Sequence, residues 1–263
     1  MSGHSKWSTI KHAKGAADAK RGALFTKLIK EISIAASMGG GDASSNPRLR
    51  AAIVKAKAAS MPKDNIERAI KKGTGELGGG TYEELVYEGY APGGVAVLVE
   101  VLTDNKNRAA ANVRNILTKN GGNLGTTGST SRMFERKGVI EMDAEKITED
   151  EVMEVALDAG ADDIVNEDGV ITIKTDPSAF EGVVEAITAK HDAALSPKQE
   201  ETPESEKWAT LSASVSMVPF QYTAVDAETA KKVQKLLDKM EEDDDVQNVY
   251  STVEYPDDFD PEA

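Results

Sequence analysis

Charge is segregated along this chain, and that segregation restricts what the chain can fold into. Residues 1–75 hold 15 Lys+Arg against 5 Asp+Glu, a net +10, while the 263 residues together carry −14, which leaves −24 for the remainder. A basic module must therefore precede an acidic body. A polyanion could approach one end only, because a basic patch concentrates polyanions and releases their counterions, whereas an acidic body repels phosphate beyond the contact. The competing reading is a basic region that offsets an acidic one for solubility. One sign dominating so long a run, with Trp7 embedded in it, favours a contact surface.

Composition removes several function classes. With 40% hydrophobic residues the chain can build two or three domain cores. It has no cysteine, which excludes disulfides, thiolate zinc sites and cysteine nucleophiles. No run of about 18 apolar residues is available to span a bilayer, and the N-terminus lacks the apolar core of a secretory signal. A basic, acid-poor start also suits a mitochondrial presequence, but the Gly3–Trp7 stretch, which below carries a family resemblance, is expected to leave no removable leader, so that resemblance implies the bacterial cytoplasm, with no membrane partner expected.

Taken in order, residues 1 to about 17 have no apolar stripe and are expected to form an arm. From Asp18, Leu24, Phe25, Leu28, Ile29 and Ile32 recur at helical spacing until Gly39-Gly40-Gly41. Asn46-Pro47 opens a second helix through Leu49, Ile53 and Ala56. Pro62 starts a third, with Ile66, Ala69 and Ile70 inward and Gly73 as its stop. Arg48, Arg50, Lys55, Lys57, Lys63, Arg68, Lys71 and Lys72 are expected outside. The short Ser60-Met61-Pro62 connection is compatible with a helix-turn-helix or with an ordinary helical hairpin.

A glycine-rich linker, 73–80, marks a boundary. Tyr82–Tyr90 and Val95–Leu102 read as strands joined by Ala91-Pro92-Gly93-Gly94. Thr103-Asp104 can cap a helix to about Lys119, and Met133–Glu135 resumes strand character. A strand at Val139-Ile140 is followed by a helix opened by the capping box Thr148–Glu151. Strands around Ile164 and Val170–Ile173, a helix through Phe180, Val183, Val184 and Ile187, and a strand Leu211–Val218 complete a βαββαβ order, the ferredoxin-like pattern. A helix from Asp226 and a strand near Val246–Val253 have no sheet of their own and are expected to return to the 80–135 segment. The fold class is therefore α+β: a basic N-terminal helical domain (1–76), a discontinuous α+β domain (77–135 with 220–255), an inserted ferredoxin-like domain (136–219) and an acidic tail (256–263). Ser196–Lys207 reads as a mobile loop.

The candidate nucleic-acid-binding residues are His4, Ser5, Lys6, Trp7, Lys11, His12, Lys14, Lys20, Arg21, Lys27, Arg68, Lys71 and Lys72. Trp7 can stack on an unpaired base or anchor the arm onto the helical domain. A secondary contact zone comprises Lys106, Arg108, Arg114, Lys119, Gly122, Gly125, Gly128 and Arg132, set around the loop 121–130, whose glycines let backbone amides approach phosphate. That loop lacks the Lys-Ser/Thr ending of a Walker motif and follows a helix rather than a strand. Histidines occur only at 4, 12 and 191, the first two in a basic arm that repels cations, so no metal site and no cofactor are expected. With no Gly-x-Ser-x-Gly elbow, neither catalysis nor a small-molecule substrate is expected.

Gly3-His4-Ser5-Lys6-Trp7, Ile10-Lys11-His12, Asp18–Gly22 and Leu24–Ile32 resemble the N-terminal signature of the YebC/PmpR family, and the likeness continues through Pro62–Gly73, Tyr87–Val95 and Thr103–Arg108. The resemblance implies a regulator of gene expression. Bacterial members are mostly described as DNA-binding transcriptional regulators, a mitochondrial relative is a translational activator, and some bacterial members are linked to ribosomes stalled on proline-rich sequence. Two expected partners follow, duplex DNA or ribosomal RNA with the ribosome; a protein-binding adaptor is the third reading. Basic surface spread over an arm and a helical domain, without a clear recognition helix, leans towards ribosomal RNA.

Overall fold

The computed structural model describes residues 18–78, 82–167, 169–194, 210–256 and 259. They form two compact units, one holding Asp18–Ser131 together with Asp226–Ser251, the other Arg132–Val225 and the described residues from Thr252. The predicted arm, the loop 196–207 and most of the tail lie outside the described residues.

In the first unit, helices α1 (Asp18–Gly39), α2 (Pro47–Ala58) and α3 (Lys63–Gly73) enclose one apolar cluster. Leu28, Ile32, Ala35 and Ala36 of α1 meet Leu49, Ala52 and Ala56 of α2, Met61, and Ile66 and Ala69 of α3. Leu24, expected inward, is 46% exposed. Asn46 caps α2 by accepting the Leu49 N–H at 3.0 Å, and its amide also donates to the carbonyls of Ala35 and Gly40 at 2.8 and 2.9 Å, stitching α2 to the end of α1. Gly73 is the last residue of α3, as expected, and a Cβ there would overlap the Ser33 carbonyl oxygen of α1, so glycine also permits close helix packing.

The same unit contains an antiparallel sheet of order β3-β1-β2-β9, built from β1 (Glu83–Tyr90), β2 (Ala96–Thr103), β3 (Asn123–Leu124) and β9 (Val246–Ser251). The β1–β2 turn needs both glycines, Gly93 and Gly94, at φ 78° and 76°. Helices α4 (Lys106–Lys119) and α7 (Ala227–Glu241) pack on the sheet and on each other. The cap of α4 is Asn105, which accepts the Arg108 N–H at 3.0 Å; Thr103 instead accepts the Asn105 N–H. Strand β9 pairs with β2 after an excursion of more than a hundred residues, so this domain is discontinuous and the other is inserted in it.

The inserted domain has the antiparallel sheet order β5-β6-β4-β7, with β4 (Phe134–Asp143), β5 (Ala161–Glu167), β6 (Val170–Thr175) and β7 (Thr210–Pro219). Helices α5 (Glu149–Asp158) and α6 (Phe180–Ala194) supply Val152, Ala156, Val183 and Ile187 against Ile140, Met142, Ile171 and Ile173. This is the ferredoxin-like arrangement, and the Thr148–Glu151 capping box forms as read. The two expected strand fragments at 133–135 and 139–140 are one strand. Phe134 pairs with Pro219, so the sheet begins two residues ahead of the division expected at 135/136. Short parallel strands β8 (Thr223–Ala224) and β10 (Val253–Glu254) follow, and Tyr255 stacks on Phe259 at 4.7 Å, both buried. The tail therefore begins as an apolar anchor, because two aromatics there are removed from water.

Asp245, 3% exposed, ties the helical domain to the middle sheet. It accepts from Lys30 Nζ of α1 at 2.7 Å and from Arg108 Nε and Nη2 of α4 at 2.9–3.0 Å, while Lys30 also donates to the Asp244 carbonyl at 2.6 Å. Burial would raise the Asp245 pKa, but the hydrogen bonds and charges of Lys30 and Arg108 hold it below the ordinary aspartate value. Replacing Asp245 with Asn should leave Lys30 buried without its counter-charge and lower stability by about 3 kcal/mol, measured as a shift in urea unfolding free energy at pH 7.

Candidate nucleic-acid interface

Among the expected contact residues, His4, Ser5, Lys6, Trp7, Lys11, His12 and Lys14 lie outside the described residues. Lys20 and Arg21 fall in the first turn of α1. The remaining cations divide by what they touch.

Several are engaged internally. Lys27 donates to the Glu241 carbonyl at the end of α7 at 2.7 Å. Arg48 is bound through Nε and Nη2 to Glu31 and also pairs with Glu84 of β1; the Glu31 hydrogen bond, opposed by burial, raises its pKa above the usual guanidinium value. Lys72 is half-buried, with its ammonium 2.8 Å from the Tyr82 hydroxyl. Lys27 and Lys72 were expected as contact residues, and Arg48 on the outside of the domain. Their long apolar stems and terminal charges instead join helices to sheet, which local sequence pattern does not reveal.

The cations that face water lie on α2 and α3. Along α2, Lys55 and Lys57 are exposed, as is Arg50, whose Nη1 also donates to the carbonyls of Ala43 and Ser44 at 3.0 and 3.3 Å; they are interleaved with exposed Ala51, Val54 and Ala58, and the helix contains no acidic residue. On α3, Arg68 and Lys71 are exposed, but so are Asp64 and Glu67, the latter paired with Lys63 at 3.4 Å. Helix α2 thus presents the more uniformly positive face.

In the secondary zone, Lys106 pairs with Glu83 at 2.5 Å, and Arg108 pairs with Asp104 and Asp245. Arg114 and Lys119 are exposed on α4, and Arg132 is exposed in a 3-10 turn. The loop 121–130 is not the open cradle anticipated for phosphate. Its amides converge on Glu88, a strand residue only 6% exposed, which accepts the N–H groups of Gly128 (2.7 Å), Thr130 (2.6 Å) and Ser131 (2.7 Å) and the Thr130 hydroxyl (3.2 Å). An internal carboxylate fills the nest that an anion would need. Burial would raise the Glu88 pKa, yet these donors together bring it down to about 2. Gly125 donates to the Glu88 carbonyl at 2.7 Å, and a Cβ on Gly122 would overlap the Tyr90 carbonyl oxygen, so these glycines serve close packing of the loop on β1.

Glu88 was missed in the sequence. The available signal was a carboxylate placed by register opposite Leu98, within an almost wholly buried apolar strand. Among the described residues, no group of three or more His, Asp or Glu side chains is placed to hold a metal, and no helix is long and apolar enough to cross a membrane.

Two family descriptions match the chain, the TACO1/YebC protein N-terminal domain over residues 5–76 and the TACO1/YebC second and third domain over residues 82–253. The chain belongs to the TACO1/YebC family. A relative from Treponema denticola is 66% identical over 259 residues, covering 98% of both chains, and one from Geobacter sulfurreducens is 53% identical over 251 residues, covering 95% of both. Both carry the name probable transcriptional regulatory protein. The crystal structure of a conserved hypothetical protein from Aquifex aeolicus superposes with a TM-score of 0.77 at 46% identity, covering 92% of this chain and 93% of that one.

A carboxyl with a folded-state pKa near 2 and an ordinary value of 4.5 contributes its full stabilisation above about pH 4.5 and loses it as pH falls towards 2. Glu88→Gln should therefore cost about 3 kcal/mol at pH 7, and the gap between wild type and variant should narrow through pH 4 and 3 in urea titrations.

Proposed function

We propose that this protein is a non-enzymatic, nucleic-acid-binding regulator of gene expression that acts as a ribosome-associated translation factor, gripping ribosomal RNA through its basic helical domain of residues 1–76. The observation that carries this reading is the outward face of α2, where Arg50, Lys55 and Lys57 are exposed without one acidic residue on the helix. Cations dispersed among small residues suit the phosphate backbone, a contact that fixes position without reading sequence. Helix α3 would be the recognition helix of a helix-turn-helix, but Asp64 and Glu67 on its surface oppose entry into a groove walled by phosphates. The basic arm, with Trp7 available for stacking on an unpaired base, adds to the same polyanion contact. The predicted bacterial cytoplasmic location brings the protein to ribosomes.

A second reading, a transcriptional regulator on duplex DNA, is favoured by the name that the relatives carry. Co-sedimentation with purified ribosomes over a salt series, beside gel shifts on random and promoter duplex DNA at the same salts, separates the two. Retention on ribosomes at salt that strips the protein from DNA is expected. Indifference to ribosomes with preference for one promoter fragment would establish the DNA reading instead. Alanine at Lys55, Lys57, Arg68 and Lys71 together should lower the salt slope of RNA binding by about 3, read by fluorescence anisotropy, with little change in unfolding midpoint.

A further inference from the structure

Between Asp104 and Glu135 the chain carries no acidic residue, in a protein with 45 of them among 263. Helix α4 lies wholly within this stretch. Its first-turn cations, Lys106 and Arg108, are held by Glu83, Asp104 and Asp245, whereas Arg114 and Lys119 are exposed and meet no carboxylate among the described residues.

Helix α7 lies beside α4 and runs in the opposite direction. Asn112 of α4 donates to Asp243, just beyond the end of α7, at 2.8 Å; at the other end, a Cβ on Gly122 would come within 3.2 Å of Leu236 Cδ1. Between Glu228 and Asp238 the only charged residues of α7 are Lys231, Lys232 and Lys235. Lys232 is paired with Glu228 at 2.7 Å, and Lys239 with Glu242 at 2.6 Å. Lys231 and Lys235 are exposed and have no carboxylate partner among the described residues.

A helix face that merely stays wet in so acidic a chain is built from opposite charges at i,i+4, as Lys232 with Glu228 shows on this same helix. Lys231 and Lys235 are like charges at that spacing, an arrangement that opposes helix formation by a few tenths of a kcal/mol, and the carboxylates three residues away, Glu228 and Asp238, are engaged by Lys232 and by Gln234. Their ammonium stems start about 6 Å apart along the axis, within reach of neighbouring phosphates on one strand. With α4 adjacent, Lys119, seven residues beyond Asn112 and so on the side of α4 that meets α7, extends the same positive surface, and the nearby glycine loop brings no carboxylate except Glu88, which is buried.

We propose that Lys119, Lys231 and Lys235 form a second phosphodiester-binding surface on the outer side of α4 and α7, engaging the backbone of RNA alongside the basic helical domain. This inference rests on the nucleic-acid reading above and extends it beyond the basic helical domain into the part of the chain whose overall charge is negative. The surface binds backbone charge rather than base edges, since α7 presents lysines as flexible point charges.

The test uses the full chain with all three residues replaced by alanine, compared with wild type and with the Lys55, Lys57, Arg68 and Lys71 alanine variant. Anisotropy titrations on a 30-base-pair RNA duplex and a DNA duplex of matching sequence are run from low to high salt. Loss of the three α4 and α7 cations should lower the RNA salt slope by about 2, adding to the loss in the helical-domain variant, with the RNA effect at least as large as the DNA effect. Lys231→Arg with Lys235→Arg should restore most of the α7 share, whereas Lys231→Glu with Lys235→Glu should weaken binding further. If the helical-domain variant loses slope while the α4 and α7 variant matches wild type, the second surface is overturned and the nucleic-acid reading stands. A loss confined to DNA overturns the assignment to RNA. No affinity of the wild type for either duplex overturns both.

Discussion

The buried carboxylate of Asp245 is the interaction on which the first unit depends. It receives Lys30 from α1 and Arg108 from α4, on a turn that leads from α7 into β9. Three distant stretches of chain therefore converge on one anion, and the last of them arrives after the whole ferredoxin-like insertion. A buried ion pair is weak evidence for net stability, because desolvation offsets the attraction. Its value here is geometric: a single acceptor with two directional donors admits one registration of the helical domain against the sheet.

The same logic recurs at Glu88 on a smaller scale. A strand carboxylate collects three backbone N–H groups and a hydroxyl from a loop rich in glycine and threonine. Glycine would otherwise make that segment costly to order. The charge-assisted bonds offset this cost and leave the tip residues Thr126, Thr127 and Gly128 exposed in a defined conformation. Whatever approaches the tip meets hydroxyls and Cα hydrogens, since the nearby amides of Gly128, Thr130 and Ser131 already point at Glu88.

Much of the architecture was legible because periodicity and capping are local. Asn46, Thr148 and Asp226 cap the helices they were expected to open, and the βαββαβ order places the inserted sheet without further information. Long-range pairings of charge were not legible. Lys27, Arg48 and Lys72 read as surface cations because nothing within ten residues distinguishes a lysine that will meet a carbonyl two hundred residues away from one that will meet solvent. Gly73 ends its helix as its position suggests, but its second reason, the Ser33 carbonyl of another helix, is invisible in local sequence.

Net charge along the sequence consequently overstates the basic surface in the first domain and understates it elsewhere. Lys27, Lys30, Arg48 and Lys72 contribute to the +10 of residues 1–75, but each is bound to protein. In the acidic remainder, Asp104, Asp243 and Asp245 are turned towards Arg108, Asn112 and Lys30, which removes part of their negative field from the solvent side of α4 and α7. Internal neutralisation works on both signs. A polyanion experiences only the charges left over after folding has paired the rest, and on α2, α4 and α7 those remaining charges are positive.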